Sequence, residues 1–288
     1  MSYVNNALEI RNLSKHYGDF QLDHINLTVP AGAIVGLIGE NGAGKSTTIK
    51  AVMNLIHKDS GDITIYGQHL EDDPQKLKEE ISVVFDDIYF NKNFTAKEIA
   101  AICRSIYKNW DDSRWNELME RFGLPISKKV KDFSKGMRVK LNLAIALSHH
   151  ARLLLLDEPT SGLDPVMRDD ILDMFLEFMQ DESHAILISS HITSDLEKIA
   201  DYIAFIHQGR MVFCEDKDAL LYHYGVIRCG REDFAKIAEE DRVAVRRQDY
   251  QISVLVRDRQ AAAGKYPDLV MDQPDIDEIM LFYVKGEQ

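Results

Sequence analysis

An α/β fold with a mainly parallel core sheet is predicted for residues 1–224, with a small α+β accessory unit appended over residues 225–288. Three observations carry this prediction. Ala33 to Ile38 and Leu153 to Leu156 are continuous apolar runs of strand length, as expected of strands buried on both faces. Helical patterns alternate with strand patterns, as parallel strands require crossover connections. Residues 95–150 are helical throughout, which marks a helical subdomain inserted into the α/β frame.

In chain order, Leu8 to Leu13, Phe20 to Leu22 and Ile25 to Val29 alternate in the manner of strands, punctuated by Gly18 and the Pro30-Ala31-Gly32 turn. The Ala33 to Ile38 run leads straight into a glycine-rich segment, and a helical pattern then continues to about Ile56. Ile63 to Tyr66 and Ser82 to Phe85 are further strands. The inserted helices are Thr95 to Tyr107, Asp111 to Phe122 and Ser134 to Ser148. Strand patterns return at Leu153 to Leu156, Ala185 to Ser189, Tyr202 to His207 and Met211 to Cys214, with a helix from Asp164 to about Gln180 between the first two. In the appended unit, Val226 to Cys229 and Ile252 to Val256 read as strands, and Glu232 to Glu239 and Ile276 to Tyr283 as helices.

Composition bounds the function. The 288 residues carry a formal charge of −13, which disfavours gripping nucleic acid or an anionic lipid surface through basic side chains. Cys103, Cys214 and Cys229 are widely spaced and form no CxxC pair, as expected of free thiols in a reducing compartment. Residues 1–10 lack the apolar core of a signal peptide. The most apolar stretch, Leu141 to Leu156, is broken by Asn142, Ser148, two histidines and Arg152, and falls short of the roughly 18 apolar residues of a spanning helix. A cytoplasmic protein without direct membrane insertion is expected.

Gly39-Glu40-Asn41-Gly42-Ala43-Gly44-Lys45-Ser46-Thr47 follows a strand and opens a helix, the context of a Walker A loop. The glycines let backbone N–H groups turn inward onto phosphates, and the helix N-terminus favours negative charge. Lys45 would reach the β- and γ-phosphates of ATP, and Ser46 would ligate Mg²⁺. Leu153-Leu154-Leu155-Leu156-Asp157-Glu158 places two carboxylates at the C-terminal end of a buried strand, the edge where α/β sheets bind ligands. Asp157 suits the Mg²⁺ shell, and Glu158 suits activation of the attacking water.

With these motifs in this order, residues 7–220 resemble the ATP-binding-cassette (ABC) ATPases. Phe133-Ser134-Lys135-Gly136-Met137 looks like the family signature. Read alone it is only a capped helix start; the resemblance implies that Ser134 and the Gly136 backbone meet the γ-phosphate held by another protomer. Ser161-Gly162-Leu163-Asp164 resembles the D-loop, which brings Asp164 to that interface. His191 matches the switch histidine, and Tyr17 the aromatic that stacks on adenine. Two positions depart from the family pattern. Asp86 stands where a glutamine is usual, offering Mg²⁺ a carboxylate but no amide N–H. Lys135 replaces the second glycine of the signature, adding a cation that lies near the phosphate or points to solvent.

The resemblance implies an ABC fold with an antiparallel β subdomain, and an ATP-sandwich homodimer, or a heterodimer with a related ATPase subunit. It further implies ATP hydrolysis driving a separate membrane subunit, at the cytoplasmic face of the cell membrane. The Asp86-Asp87 pair, Lys135 and the tail Asp277 to Tyr283 look most like bacterial ABC-2-type exporter subunits for drugs or peptides. Two other readings follow from the same motifs. Asp86 is compatible with a regulatory module that hydrolyses ATP weakly. A non-transport ABC protein of translation or DNA maintenance is disfavoured by the single P-loop and the short spacing between Lys45 and Asp157.

Overall fold

The protein is described here from a computed structural model covering residues 6–69, 72–85, 89–248 and 251–287. Its central sheet has the strand order Arg210–Asp216, Tyr202–His207, Ile34–Ile38, Ala185–Ser190, Leu153–Asp157, Ile81–Val84. All neighbours are parallel except the Arg210–Asp216 edge, which pairs antiparallel with Tyr202–His207. The period of two along each strand sorts its side chains into two cores. Ile34, Ile38, Leu154, Leu156, Ile186 and Ile188 face one cluster with the Pro165–Phe178 and Thr193–Ile199 helices. Val35, Leu37, Leu153, Leu155 and Leu187 face the other.

That second cluster is completed by an antiparallel sheet, ordered Phe20–Pro30, Asn6–Tyr17, Ser60–Ile65, Gln68–His69, together with the Lys45–Val52 helix. Gly209, in the turn between Tyr202–His207 and Arg210–Asp216, stitches the layers. Its N–H donates to Ala43 O (2.9 Å), and its carbonyl accepts from Asp23 N (2.8 Å). Its φ is +76°, and a Cβ there would lie 1.7 Å from Gln21 O, so this approach requires glycine.

The inserted helices are set by their caps. Thr95 closes a capping box with Glu98 at the start of Ala96–Ile106. Asp111 caps Asp112–Arg121, and Ser134 caps Lys135–Leu147. Their apolar faces gather Ile99, Cys103, Trp115, Leu118, Val130 and Leu141 into a core of their own. Cys103 and Cys229 are buried free thiols and Cys214 is an exposed one.

After the short Lys217–His223 helix, the C-terminal chain forms a third, fully antiparallel sheet ordered Ala244–Arg247, Ile252–Val256, Gly225–Cys229, Val270–Asp272. Helices Arg231–Phe234 and Arg259–Lys265 make the connections, giving a split βαββαβ unit. One sheet face packs with Ala262 and Tyr266. The other puts Val226 and Leu255 into the central core, along with Ile276, Ile279 and Phe282 of the final helix, Ile276–Lys285.

Several expectations are corrected. The helix read at Glu232 to Glu239 stops at Phe234, because Ile237 turns into the core of the unit and the Ala238 N–H donates to the Tyr266 hydroxyl (2.9 Å). The helix expected to reach Ile56 ends at Val52, with Asn54 at φ +52°. Helix Pro74–Glu80 and strands Ala244–Arg247 and Val270–Asp272 had no sequence reading.

His149 joins the inserted helices to the sheet. It stacks on Tyr107 with centroids 4.0 Å apart, and its Nε2 lies 3.2 Å from both Ile81 O and Ser82 Oγ. Burial holds its pKa below the ordinary histidine range. The unfolded chain therefore takes up a proton near pH 6.5 that the folded chain resists, so this contribution to stability is complete above about pH 6.5 and is lost as the pH falls below it. Substituting His149→Gln should make the loss of thermal stability between about pH 7 and pH 5 shallower than in the parent chain, measured by thermal denaturation.

Candidate functional site

Strand register assembles the site. Ile38 lies opposite Ser190, and Asp157 opposite Ser189, so three parallel strands end together and release Gly39, Glu158 and His191 at one edge. In the loop from Gly39 to Thr47, Lys45 is buried. Its ammonium donates to Gly39 O (2.8 Å) and Glu40 O (3.4 Å), and stands 3.5 Å from Glu158 Oε1. A phosphate would replace these oxygens with its own. Asn41 and Gly42 are exposed at the loop crest, Ala43 is buried beneath it, and Thr47 follows in the first helical turn. A Cβ on Gly39 would lie 2.3 Å from Ile206 O, so the loop enters against backbone.

Asp157 Oδ1 accepts from Ser46 Oγ (3.0 Å) and from Ser189 Oγ (2.7 Å). Ser46 and Asp157 thus converge as two hard oxygen donors, a set suited to a Mg²⁺ that takes its remaining ligands from phosphates and water. Asp86, the third expected metal ligand, lies outside the described residues. Glu158 has a left-handed backbone, φ +53°, costing on the order of 1–3 kcal/mol. Its N–H is held by Ser189 O (3.2 Å) and Ser189 Oγ (3.1 Å). Its Oε2 accepts from His191 Nδ1 (2.5 Å) and His191 N (3.3 Å).

Other sequence candidates stand apart from this cluster. Ser134 Oγ accepts from Met137 N (3.2 Å), capping its own helix, and no hydrogen bond or ion pair among the described residues joins Ser134 or Lys135 to Lys45, Asp157 or Glu158. Lys135 rests on the D-loop of its own chain: a Cβ on Gly162 would lie 2.9 Å from its Nζ. Gly136 packs against Met167. Asp164 caps the Pro165–Phe178 helix through Met167 N (3.0 Å). Tyr17 is 45% exposed beside the Lys15 ammonium, 5.1 Å from its ring centroid.

Sequence reasoning missed Ser189, whose hydroxyl donates to the Asp157 carboxylate and accepts from the Glu158 N–H. It also missed the buried pair Thr160 and Asp195, whose hydrogen bond is 2.7 Å. A serine in an apolar strand, two residues before His191, was the available signal for the first.

Residues 22–161 match the family model described as ABC transporter. A shorter match, over 129–194, is to a model described as AAA domain, putative AbiEii toxin, Type IV TA system. The chain is 34% identical over 218 residues to the ABC transporter ATP-binding protein YtrB of Bacillus subtilis (strain 168), covering 75% of this chain and 74% of that one. The chain belongs to the ABC transporter ATP-binding proteins. Two other members of this family are similar at comparable levels. The lantibiotic transport ATP-binding protein SrtF of Streptococcus pyogenes is 36% identical over 214 residues, covering 73% and 91%. The bacitracin transport ATP-binding protein BcrA of Bacillus licheniformis is 34% identical over 212 residues, covering 73% and 69%. A solved structure titled as an ATP binding subunit of an ABC transporter superposes with TM-score 0.68 at 28% identity, covering 80% of this chain and 93% of that one. The ABC fold follows from this likeness. No helix among the described residues is long and apolar enough to cross a membrane.

Replacing Ser189→Ala removes a donor to Asp157 and a brace of the strained Glu158 backbone. Chemical denaturation should show a loss of about 2 kcal/mol in stability.

Proposed function

We propose that this chain binds and hydrolyses Mg-ATP as one half of an ATP-sandwich dimer that drives a separate ABC-2-type membrane subunit, in the export of drugs or peptides. The carrying observation is the separation of the site into two parts. Lys45, Ser46, Asp157, Glu158 and His191 form a connected network, while Ser134 has no link to it. A second chain supplying Ser134, Lys135, Gly136 and Asp164 completes the phosphate cradle. Tyr17 stacks on adenine; the loop from Gly39 to Thr47 wraps the phosphates; Ser46 and Asp157 hold Mg²⁺, which neutralises developing charge. Glu158 orients the attacking water and His191 holds Glu158. Both residues are present, so a homodimer has two hydrolytic sites, and a heterodimer with a related subunit uses the same geometry.

The membrane partner docks in an apolar groove between the inserted helices and the core. This cavity of about 610 Å³ is lined by Met53, Leu55, Phe85, Tyr89, Tyr107 and Ile145, and Leu55 and Tyr89 are largely exposed. Similarity to bacitracin and lantibiotic transport proteins supports drugs or peptides as cargo. Residues 1–224 then form the ATPase domain and residues 225–288 the accessory domain.

Glu158→Gln should lower turnover by about a hundredfold or more while ATP binding persists and Mg-ATP enriches the dimer in size-exclusion chromatography. Unchanged turnover would overturn the assignment. Mixing equal amounts of K45A and S134R chains, each inactive alone, should restore about a quarter of parental activity, because half the dimers are mixed and each mixed dimer holds one intact composite site. A site built within one chain would give no recovery.

A further inference from the structure

We infer that Asp195 and Thr160 are positioning residues that set the register of His191 against Glu158 and pin the entry of the D-loop. The inference rests on the reading of Glu158 and His191 as the hydrolytic pair. Asp195 is 3% exposed and sits one turn beyond His191, on the Thr193–Ile199 helix. Its Oδ2 accepts from Thr160 Oγ1 (2.7 Å), and Thr160 is itself 1% exposed, two residues after Glu158. The Glu158 to Thr160 segment and the His191 to Asp195 segment are therefore tied twice. The outer tie, His191 to Glu158, has an exposed imidazole; the inner tie, Asp195 to Thr160, is buried.

A buried hydrogen bond to a carboxylate is short and directional, so the inner tie fixes the spacing at which the outer one forms. Asp195 Oδ1 also faces Arg168 Nη1 at 3.7 Å, beyond hydrogen-bond range, and Arg168 Nε is buried without a hydrogen-bond partner among the described residues. Thr160 enters the Ser161 to Asp164 loop, and Arg168 lies one turn into the helix that leaves it. Both ends of that loop converge on one carboxylate. The loose Arg168 side of this triangle leaves room for the loop to adjust, while the Thr160 side holds.

The test measures steady-state ATP hydrolysis and nucleotide binding on the full chain, with Thr160→Val, which removes the hydroxyl at nearly constant volume. Thr160→Val should lower kcat about tenfold or more with KM and nucleotide affinity nearly unchanged, and Thr160→Ser should restore it. In an H191A background the same substitution should cost less than about twofold, because the group being positioned is gone. Thr160→Ala serves as the second variant if Thr160→Val does not fold, with the same dependence on His191. Equal losses in both backgrounds, or no loss in either, would overturn the inference. If E158Q and H191A each lower turnover to a small but measurable residual rate while Thr160→Val leaves the parental rate unchanged, the hydrolytic assignment stands and only the inference falls. If the parental chain shows no turnover, or none of these variants changes it, the hydrolytic assignment falls and the inference with it.

Discussion

One carboxylate oxygen organises the site. Asp157 Oδ1 receives Ser46 from the helix after the phosphate loop and Ser189 from the adjacent strand. Three segments distant in sequence are thereby fixed to one point. Their convergence depends on parallel register, since Asp157 and Ser189 are paired and Ile38 stands opposite Ser190. A one-residue slip of the Leu153–Asp157 strand would turn Asp157 into the apolar core and Leu156 to the site edge. The strain at Glu158 belongs to the same arrangement. Its left-handed backbone turns the side chain out of the sheet toward His191, and the same Ser189 holds it there. Stability and chemistry thus draw on shared hydrogen bonds, and changes that relax the edge of the sheet are felt in both.

The core of the fold was readable in the sequence because it follows from strong local signals. Leu153 to Leu156 is a strand by apolarity alone, and it is wholly buried. Ser134, Thr95, Asp111 and Asp164 announce helix starts through side chains that the structure shows capping backbone N–H groups. Less was legible where tertiary contacts decide. The strands Ala244–Arg247 and Val270–Asp272 are short edge strands whose residues carry little alternation, and they form because the Gly225–Cys229 and Ile252–Val256 strands offer them partners. The helix expected from Glu232 was cut short by the burial of Ile237, which no helical pattern reveals.

Within the candidate site, the residues of named motifs were legible and their supports were not. Lys45, Asp157 and Glu158 have the residue types that phosphate chemistry requires. Ser189, Thr160 and Asp195 are ordinary residue types, and only three-dimensional proximity gives them a role. Lys135 is intermediate. Its charge was visible, but its resting place against Gly162 follows from the fold bringing signature and D-loop together.

The C-terminal sheet, covered by Ala262 and Tyr266 on one face and by Phe282 and the central core on the other, has a consequence for how this chain tolerates change. A module on a loose linker can drift, be replaced or be lost while its neighbour keeps its stability. Here the final helix supplies Ile276, Ile279 and Phe282 to the same buried cluster as Leu196 and Phe205, so detaching the appendage would expose apolar surface of the central core to water. Mutations accumulating in the tail are therefore filtered through the folding of the whole chain, and its sequence is constrained even where it touches no nucleotide.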